Sequence, residues 1–177
     1  FTLGQMIDKI LLFPYWLSLK LRHFLYDTGL KKVRSADVPT ICIGNITVGG
    51  AGKTPHAEML IRTLLQDEDW GEKNIAVLSR GYKRKTKGFQ QVTADGSAEF
   101  YGDEPMQIKR KFPQITVCVD KSRKNGCRFL CNPELVHTSK KGRKCREKDF
   151  PKADAIILDD AFQHRAVKPK VSIVLVD

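Results

Sequence analysis

Thr47-Val-Gly-Gly-Ala-Gly-Lys-Thr54 decides how the rest of the chain is read. Ahead of it an apolar run, Val38 to Ile43, bounded by Gly44 and Asn45, reads as a buried strand. Behind it, Pro55-His-Ala-Glu-Met-Leu-Ile-Arg-Thr-Leu-Leu65 places apolar residues at helical spacing, with Thr54 and Pro55 suited to a first turn. Strand, glycine-rich loop, Lys-Thr and helix is the order of a phosphate-binding loop. Gly49, Gly50 and Gly52 let the backbone curl. The N–H groups of the loop, from Thr47 through Ala51, then point inward at a triphosphate, and the following helix adds the positive end of its dipole. Lys53 reaches the β- and γ-phosphates of ATP, and the Thr54 hydroxyl is a Mg²⁺ ligand. Thr47 stands where the general consensus has Gly. The competing reading is a glycine-rich strand–helix turn with an incidental Lys-Thr.

Working outward, 177 residues make one domain of ordinary size with a full core. The net charge of +11 points to anionic partners such as phosphates or acidic lipid, or else to a merely basic surface. The excess is concentrated: between Lys121 and Lys152 there are eleven Lys/Arg and three Asp/Glu. That stretch lacks interleaved aromatics and any recognition motif, so nucleic acid is not an expected partner. Five cysteines are an odd number without C-x-x-C spacing. They read as reduced thiols of a cytosolic compartment, with zinc at Cys127, Cys131, His137 and Cys145 as the alternative.

Residues 1–34 form an apolar, weakly basic segment, separate from a nucleotide-binding domain over 35–177. Its longest apolar run, Ile10 to Leu17, is too short to span a bilayer, holds Pro14 as an expected kink, and lacks a signal cleavage site. Lys9, Lys20, Arg22 and His23 flank Tyr15, Trp16, Phe24 and Tyr26, which suits a helix lying on an anionic membrane surface. An amphipathic helix packed on the core fits these residues equally well.

Further along, Asn74–Leu78, Ile115–Val119, Ala155–Leu158 and Val171–Val176 read as buried strands, with a short edge strand near Phe89 to Thr93. Interleaved with helices, they predict an α/β fold: a mostly parallel sheet flanked by helices, like that of P-loop NTPases, plus an N-terminal amphipathic helical segment. Parallel strands present functional loops at their carboxyl ends. Asn45, Arg80, and Asp159 with Asp160 therefore fall at the site edge, followed by Gln163, His164 and Arg165. A carboxylate after an apolar strand is the usual second half of a phosphate-loop site, supporting Mg²⁺. Asp103 and Glu104 open a helix expected from Pro105 to Lys111, and spacing alone allows either a cap or chemistry. Asn132 to Phe150, polar and aperiodic, reads as a mobile loop.

Taken together, Gly44-Asn-Ile-Thr-Val-Gly-Gly-Ala-Gly-Lys-Thr-Pro55, Ser79-Arg-Gly-Tyr82, Gly102-Asp-Glu-Pro105 and Asp159-Asp-Ala-Phe-Gln-His-Arg165 resemble the tetraacyldisaccharide 4′-kinases of lipid A biosynthesis. In that family Thr47 is the ordinary form of the loop. The resemblance implies transfer of the ATP γ-phosphate to the 4′-hydroxyl of a lipid-linked disaccharide 1-phosphate, by a peripheral protein on the cytoplasmic face of the bacterial inner membrane. It makes Asp103 the base for the sugar hydroxyl, with Asp160 and His164 as further catalytic candidates. Thr54, Glu104 and Asp159 fall to Mg²⁺, and Asn45, Arg80 and Gln163 to the substrate. Ala161 departs from a position that is commonly Gly. The family chain continues into a smaller C-terminal domain, which would supply a lid and a histidine partner for the base. Two other classes compete: a phosphate-loop NTPase working as a switch or metallochaperone-type ATPase, and a non-catalytic membrane- or nucleic-acid-binding module.

Overall fold

The computed structural model describes residues 3–45, 52–159 and 166–176, and the chain divides into two units, Phe1–Val33 and Arg34–Asp177. The first is a single helix, α1 (Leu3–Asp27), that continues unbroken through Pro14. The proline removes one backbone donor without ending the helix. Phe13 stacks on Trp16, with ring centroids 5.9 Å apart, and the Lys20 ammonium sits 4.9 Å from the Trp16 ring centre.

The second unit is a six-stranded sheet in the order β3-β4-β2-β5-β1-β6. Its strands are β1 (Thr40–Asn45), β2 (Ile75–Ser79), β3 (Gln90–Gln91), β4 (Thr116–Val119), β5 (Ala155–Asp159) and β6 (Val171–Leu175). Every pairing is parallel except β3 with β4, so the expected edge strand is antiparallel and only two residues long. Strands covered on both faces need apolar side chains on both, and β2, β4 and β5 are buried along their whole length. Alternation then sorts them. Ile75 and Val77 join Ile43, Ile61, Met106 and Phe112 on one face, whereas Ala76 and Leu78 join Cys42, Phe129, Leu130 and Phe150 on the other.

Two helices serve the first face: α2 (Lys53–Gln66), which buries Ala57 and Ile61, and α4 (Asp103–Lys111), preceded by the single turn α3 (Ala98–Tyr101). On the other face lie α5 (Arg123–Cys131) and α6 (Glu134–Thr138). Together α6 and a 3-10 turn at Gly142–Lys144 occupy the stretch expected to be a mobile loop. It is instead packed down through Val136, Cys145 and Phe150. The Gln90 amide reinforces it, donating to the carbonyls of Lys87 (3.0 Å) and Lys144 (2.6 Å) and accepting from the Arg146 N–H (3.1 Å). Those apolar anchors are unevenly spaced among solvent-facing charges, so no period announces them.

All five cysteines are buried free thiols, and burial pushes the Cys127 thiol up to about 12. Cys127, Cys131 and Cys145 pack in the core, while His137 faces Asp149 at 3.3 Å on the surface. Among the described residues no group of three or more His, Cys, Asp or Glu is placed to hold a metal ion.

Gly126 marks where α5 crosses the sheet: a β-carbon there would lie 2.5 Å from a Leu78 methyl, and Leu78 is fully buried. Gly126→Ala should therefore destabilise the fold. Overpacking costs about 1–3 kcal/mol, of which alanine's better helix propensity recovers about 1 kcal/mol. Urea unfolding of wild type and variant measures the difference, and an alanine variant as stable as wild type would place the α5–β2 contact elsewhere.

Candidate active site

The site grows from the carboxyl ends of the parallel strands. β1 ends at Asn45, and Gly52 is the N-cap of α2, so Lys53 and Thr54 open that helix. Thr47, Gly49, Gly50 and Ala51 lie outside the described residues, as do Asp160, Gln163 and His164. The Lys53 ammonium donates to Asn45 Oδ1 at 3.0 Å, joining the last residue of the strand to the first of the helix across the loop. In the β1–β5 ladder Ile43 stands opposite Asp159. This register places Asp159, only 3% exposed, at the same edge of the sheet as the start of the phosphate loop.

A second arm of the site comes from β2. Beyond its last residue, Ser79, the chain turns through Arg80-Gly81-Tyr82 and packs against the turn at Gly102. Gly102 has φ 97° and ψ 156°, a conformation essentially reserved for glycine. A β-carbon on it would lie 3.1 Å from the Tyr82 carbonyl oxygen and 3.3 Å from the Gly81 Cα. Backbone meets backbone here. The contact carries Asp103 and Glu104 to the Arg80 loop, and the result is a cleft of about 430 Å³ lined by Lys53, Ser79, Arg80, Tyr82, Asp103, Glu104 and Pro105.

The cap reading of Asp103 fails on geometry. α4 starts at Asp103 itself, two residues earlier than expected, and the capping position belongs to Gly102, with no side-chain cap bond. Both carboxylates lie in the first turn, where the helix dipole favours negative charge.

Two groups at this edge went unread as site residues. Arg123 is 2% exposed; its guanidinium donates to the Asp120 carbonyl at 3.1 Å and to the Asp159 carbonyl, tying the exits of β4 and β5 together. In the sequence it is one basic residue among many, and only its position just past a buried strand sets it apart. Asp120 extends the ladder by donating its N–H to the Ser79 carbonyl at 3.0 Å, and its carboxylate accepts from the Ser122 N–H at 2.9 Å. Ser79 and Tyr82 lie within a motif already singled out and also line the cleft.

The family model described as tetraacyldisaccharide-1-P 4′-kinase matches residues 7–177. The chain belongs to that family. Curated tetraacyldisaccharide 4′-kinases similar to it include that of Phocaeicola vulgatus, 48% identical over 163 residues, covering 92% of this chain and 39% of the relative. The Porphyromonas gingivalis protein (strain ATCC 33277) is 45% identical, with 92% and 40% covered, and that of Flavobacterium johnsoniae 41% identical, with 97% and 45% covered. The chain thus spans about two-fifths of the length of the curated relatives it matches. A crystal structure of the Aquifex aeolicus member of this kinase family, determined in complex with ATP, superposes with a TM-score of 0.68 at 30% identity. That match covers 94% of this chain and 48% of the Aquifex one.

In this member of the tetraacyldisaccharide-1-P 4′-kinase family, Asp120 has an unusual electrostatic position. Burial raises its carboxyl above the usual carboxylate range, opposed by the Ser122 N–H and by the nearby Arg84, Arg123 and Lys141 cations. A carboxyl with a raised folded pKa holds its proton more tightly in the native state. Its contribution therefore favours folding at low pH and is lost as pH rises from the unfolded value near 4 through the raised one. Asp120→Asn keeps an oxygen for Ser122 but does not titrate. Urea unfolding at intervals between pH 4 and 7 should show the variant gaining on wild type as pH rises; a variant that loses ground would mean that the arginines outweigh burial.

Proposed function

We propose that the protein of which this chain forms part transfers the γ-phosphate of ATP to the 4′-hydroxyl of tetraacyldisaccharide 1-phosphate, a step of lipid A biosynthesis. The observation that carries this reading is the meeting of Lys53, Arg80, Asp103 and Glu104 in one cleft beside the start of the phosphate loop. A triphosphate cradled by the loop sits against the N-terminus of α2, where dipole and Lys53 offset its charge. Asp103 accepts the proton of the sugar hydroxyl as its oxygen bonds to the γ-phosphorus, while the bond to the β,γ-bridging oxygen breaks and ADP leaves. Arg80, Ser79 and Tyr82, which line the same cleft, offer donors to phosphate or sugar oxygens. Such chemistry is mostly positioning and charge neutralisation. A nucleotide switch or a nucleic-acid module leaves Asp103 and Arg80 without work.

Mg²⁺ fits the donor set. The Thr54 hydroxyl and the carboxylates of Glu104 and Asp159 are hard oxygen ligands, and a carboxylate as buried as Asp159 favours a cation nearby. When bound, the ion neutralises charge on the β- and γ-phosphates.

The test uses the full-length protein. Lys53→Ala should abolish ATP binding in calorimetry. Asp103→Asn should retain ATP binding and near-normal melting, because Gly102 holds the capping position, yet lose roughly 10²–10⁴-fold in turnover with the lipid disaccharide. An Asn variant with most of its activity would remove Asp103 from the chemistry.

The same reading makes the protein peripheral to the cytoplasmic face of the bacterial inner membrane. Within α1, Phe13, Trp16, Leu17, Leu21 and Phe24 are each about half exposed and recur at helical spacing, with Lys20 among them. Among the described residues no helix is long and apolar enough to cross a membrane, so this stripe suits one lying in the headgroup plane. Each large side chain moved out of water contributes about 1.5 kcal/mol or more. Trp16→Ser with Leu21→Ser should weaken binding to phosphatidylglycerol-containing vesicles at least roughly tenfold. Equal co-sedimentation of variant and wild type would argue that the stripe packs against protein.

A further inference from the structure

Glu58 is a carboxylate in a place where burial works against it. It lies on α2, is 7% exposed, and belongs to the helix that Lys53 opens. Its Oε1 accepts from the Gln107 amide at 2.9 Å and its Oε2 pairs with the Lys111 ammonium, both on α4, the helix that Asp103 and Glu104 open. Arg62, one turn along α2, adds a further cation nearby. These bonds hold the carboxyl below the usual carboxylate range even though burial pushes the other way.

The position of this bridge is informative. At about 1.5 Å of rise per residue, Glu58 stands roughly 7.5 Å behind Lys53 along α2, and Gln107 roughly 6 Å behind Asp103 along α4. One polar brace thus joins the two helices at nearly equal depth behind the two ends that face the cleft. The surrounding contacts, through Ala57, Ile61, Met106 and Ile108, are apolar and non-directional. They press the helices onto the sheet without selecting one axial setting of α4 against α2. Two hydrogen bonds to a single buried carboxylate do select one. Stability alone is a weak reason to keep a charge here, because the Lys111 side chain is 41% exposed and an ion pair open to water contributes little.

We infer that Glu58 is a positioning residue for phosphoryl transfer: through Gln107 and Lys111 it sets the distance between the Lys53 end of α2 and the Asp103 end of α4. The inference rests on the kinase reading of the cleft. Donor phosphate and acceptor base ride on different helices, so an error in their mutual setting acts on turnover. Misplacement by about 1 Å costs on the order of 10²-fold in rate. ATP binding, which depends on the phosphate loop and the start of α2, is spared.

The experiment compares full-length wild type, Glu58→Met, Glu58→Gln and the exchange Glu58→Gln/Gln107→Glu, using Mg·ATP and the lipid disaccharide 1-phosphate. Glu58→Met should keep wild-type melting and KM for ATP while kcat falls roughly 10- to 100-fold. Glu58→Gln should fall less. The exchange, which re-forms an amide–carboxylate pair with the partners reversed, should recover most of what Glu58→Gln loses. Wild-type kcat in both single variants overturns the inference. So does a loss of kcat that tracks a fall in melting temperature, or an exchange that recovers nothing. If Glu58→Met does not fold, the Gln variant and the exchange decide by the same criteria. A wild-type enzyme unable to phosphorylate the disaccharide would instead sink the kinase reading, and that outcome is read before any variant is compared.

Discussion

The parallel ladder between β1 and β5 is the constraint on which the site depends. With Ile43 opposite Asp159, β5 ends two residues short of the end of β1, whose last residue is Asn45. The loop leaving β1 and the carboxylate ending β5 therefore arrive at one edge. In a parallel sheet a register shift of two residues preserves which side chains face which helix layer, yet moves the carboxylate by more than 6 Å. Core packing alone does not exclude that slip. The polar cross-links at the edge oppose it: the Arg123 guanidinium joins the carbonyls of Asp120 and Asp159, and Asp120 N–H reaches the Ser79 carbonyl. β5, β4 and β2 are thus held level at the end where the chemistry would be carried out.

The same edge gathers more charge than a folded core tolerates without partners. Asp120 and Asp159 are buried carboxylates, and Arg123 is a buried cation that donates to the carbonyls of Asp120 and Asp159. Buried ionic groups seldom add net stability over an apolar packing of the same shape. On the proposed reading they would supply a fixed electrostatic environment that need not reorganise during phosphoryl transfer, which is where most of the catalytic effect of such sites arises. The glycine contact between the Arg80 loop and Gly102 belongs to the same logic. A strained backbone conformation is kept because it brings a cation and two carboxylates from distant parts of the chain to the same cleft.

How much of this was legible in the sequence follows from the range of each interaction. β2, β4 and β5 were readable because a two-sided parallel sheet demands unbroken apolar runs, and Ile75 to Leu78 is one; β6 was read as buried on the same pattern but lies partly exposed. Lys53, Thr54 and Arg80 could be placed at the carboxyl edge from their fixed offset to a strand end, whereas for Asp103 and Glu104 spacing left cap and chemistry open and only the family resemblance pointed to the cleft. α5 was missed: it begins Arg-Lys-Asn-Gly, which carries no helical period, and its apolar side chains begin only at Cys127. The packing of Asn132 to Phe150 was missed because its partners, Phe89, Gln90 and Phe129, come from other elements. Glu58 and Arg123 were illegible for the same reason. Gln107 and Lys111 for Glu58, and Asp159 for Arg123, lie far along the chain, and no local spacing encodes them.

The two faces of the sheet divide the work, and the division explains where the basic charge lies. The face covered by α2 and α4 carries the groups that line the cleft, and its helices open toward the carboxyl edge with Lys53 and Asp103. The other face, under α5, α6 and the segment to Phe150, is closed by Phe89, whose ring meets those of Phe129 and Phe150, and by buried thiols. Lys140, Lys141, Arg143, Lys144 and Arg146 point outward from that closed layer, as the charges of a packed segment must when its apolar residues are turned in. The density of positive charge there is thus first a consequence of packing. The cations that the proposed chemistry would draw on are few and lie at the carboxyl edge of the sheet: Lys53, which donates to Asn45, and Arg80, which lines the same cleft.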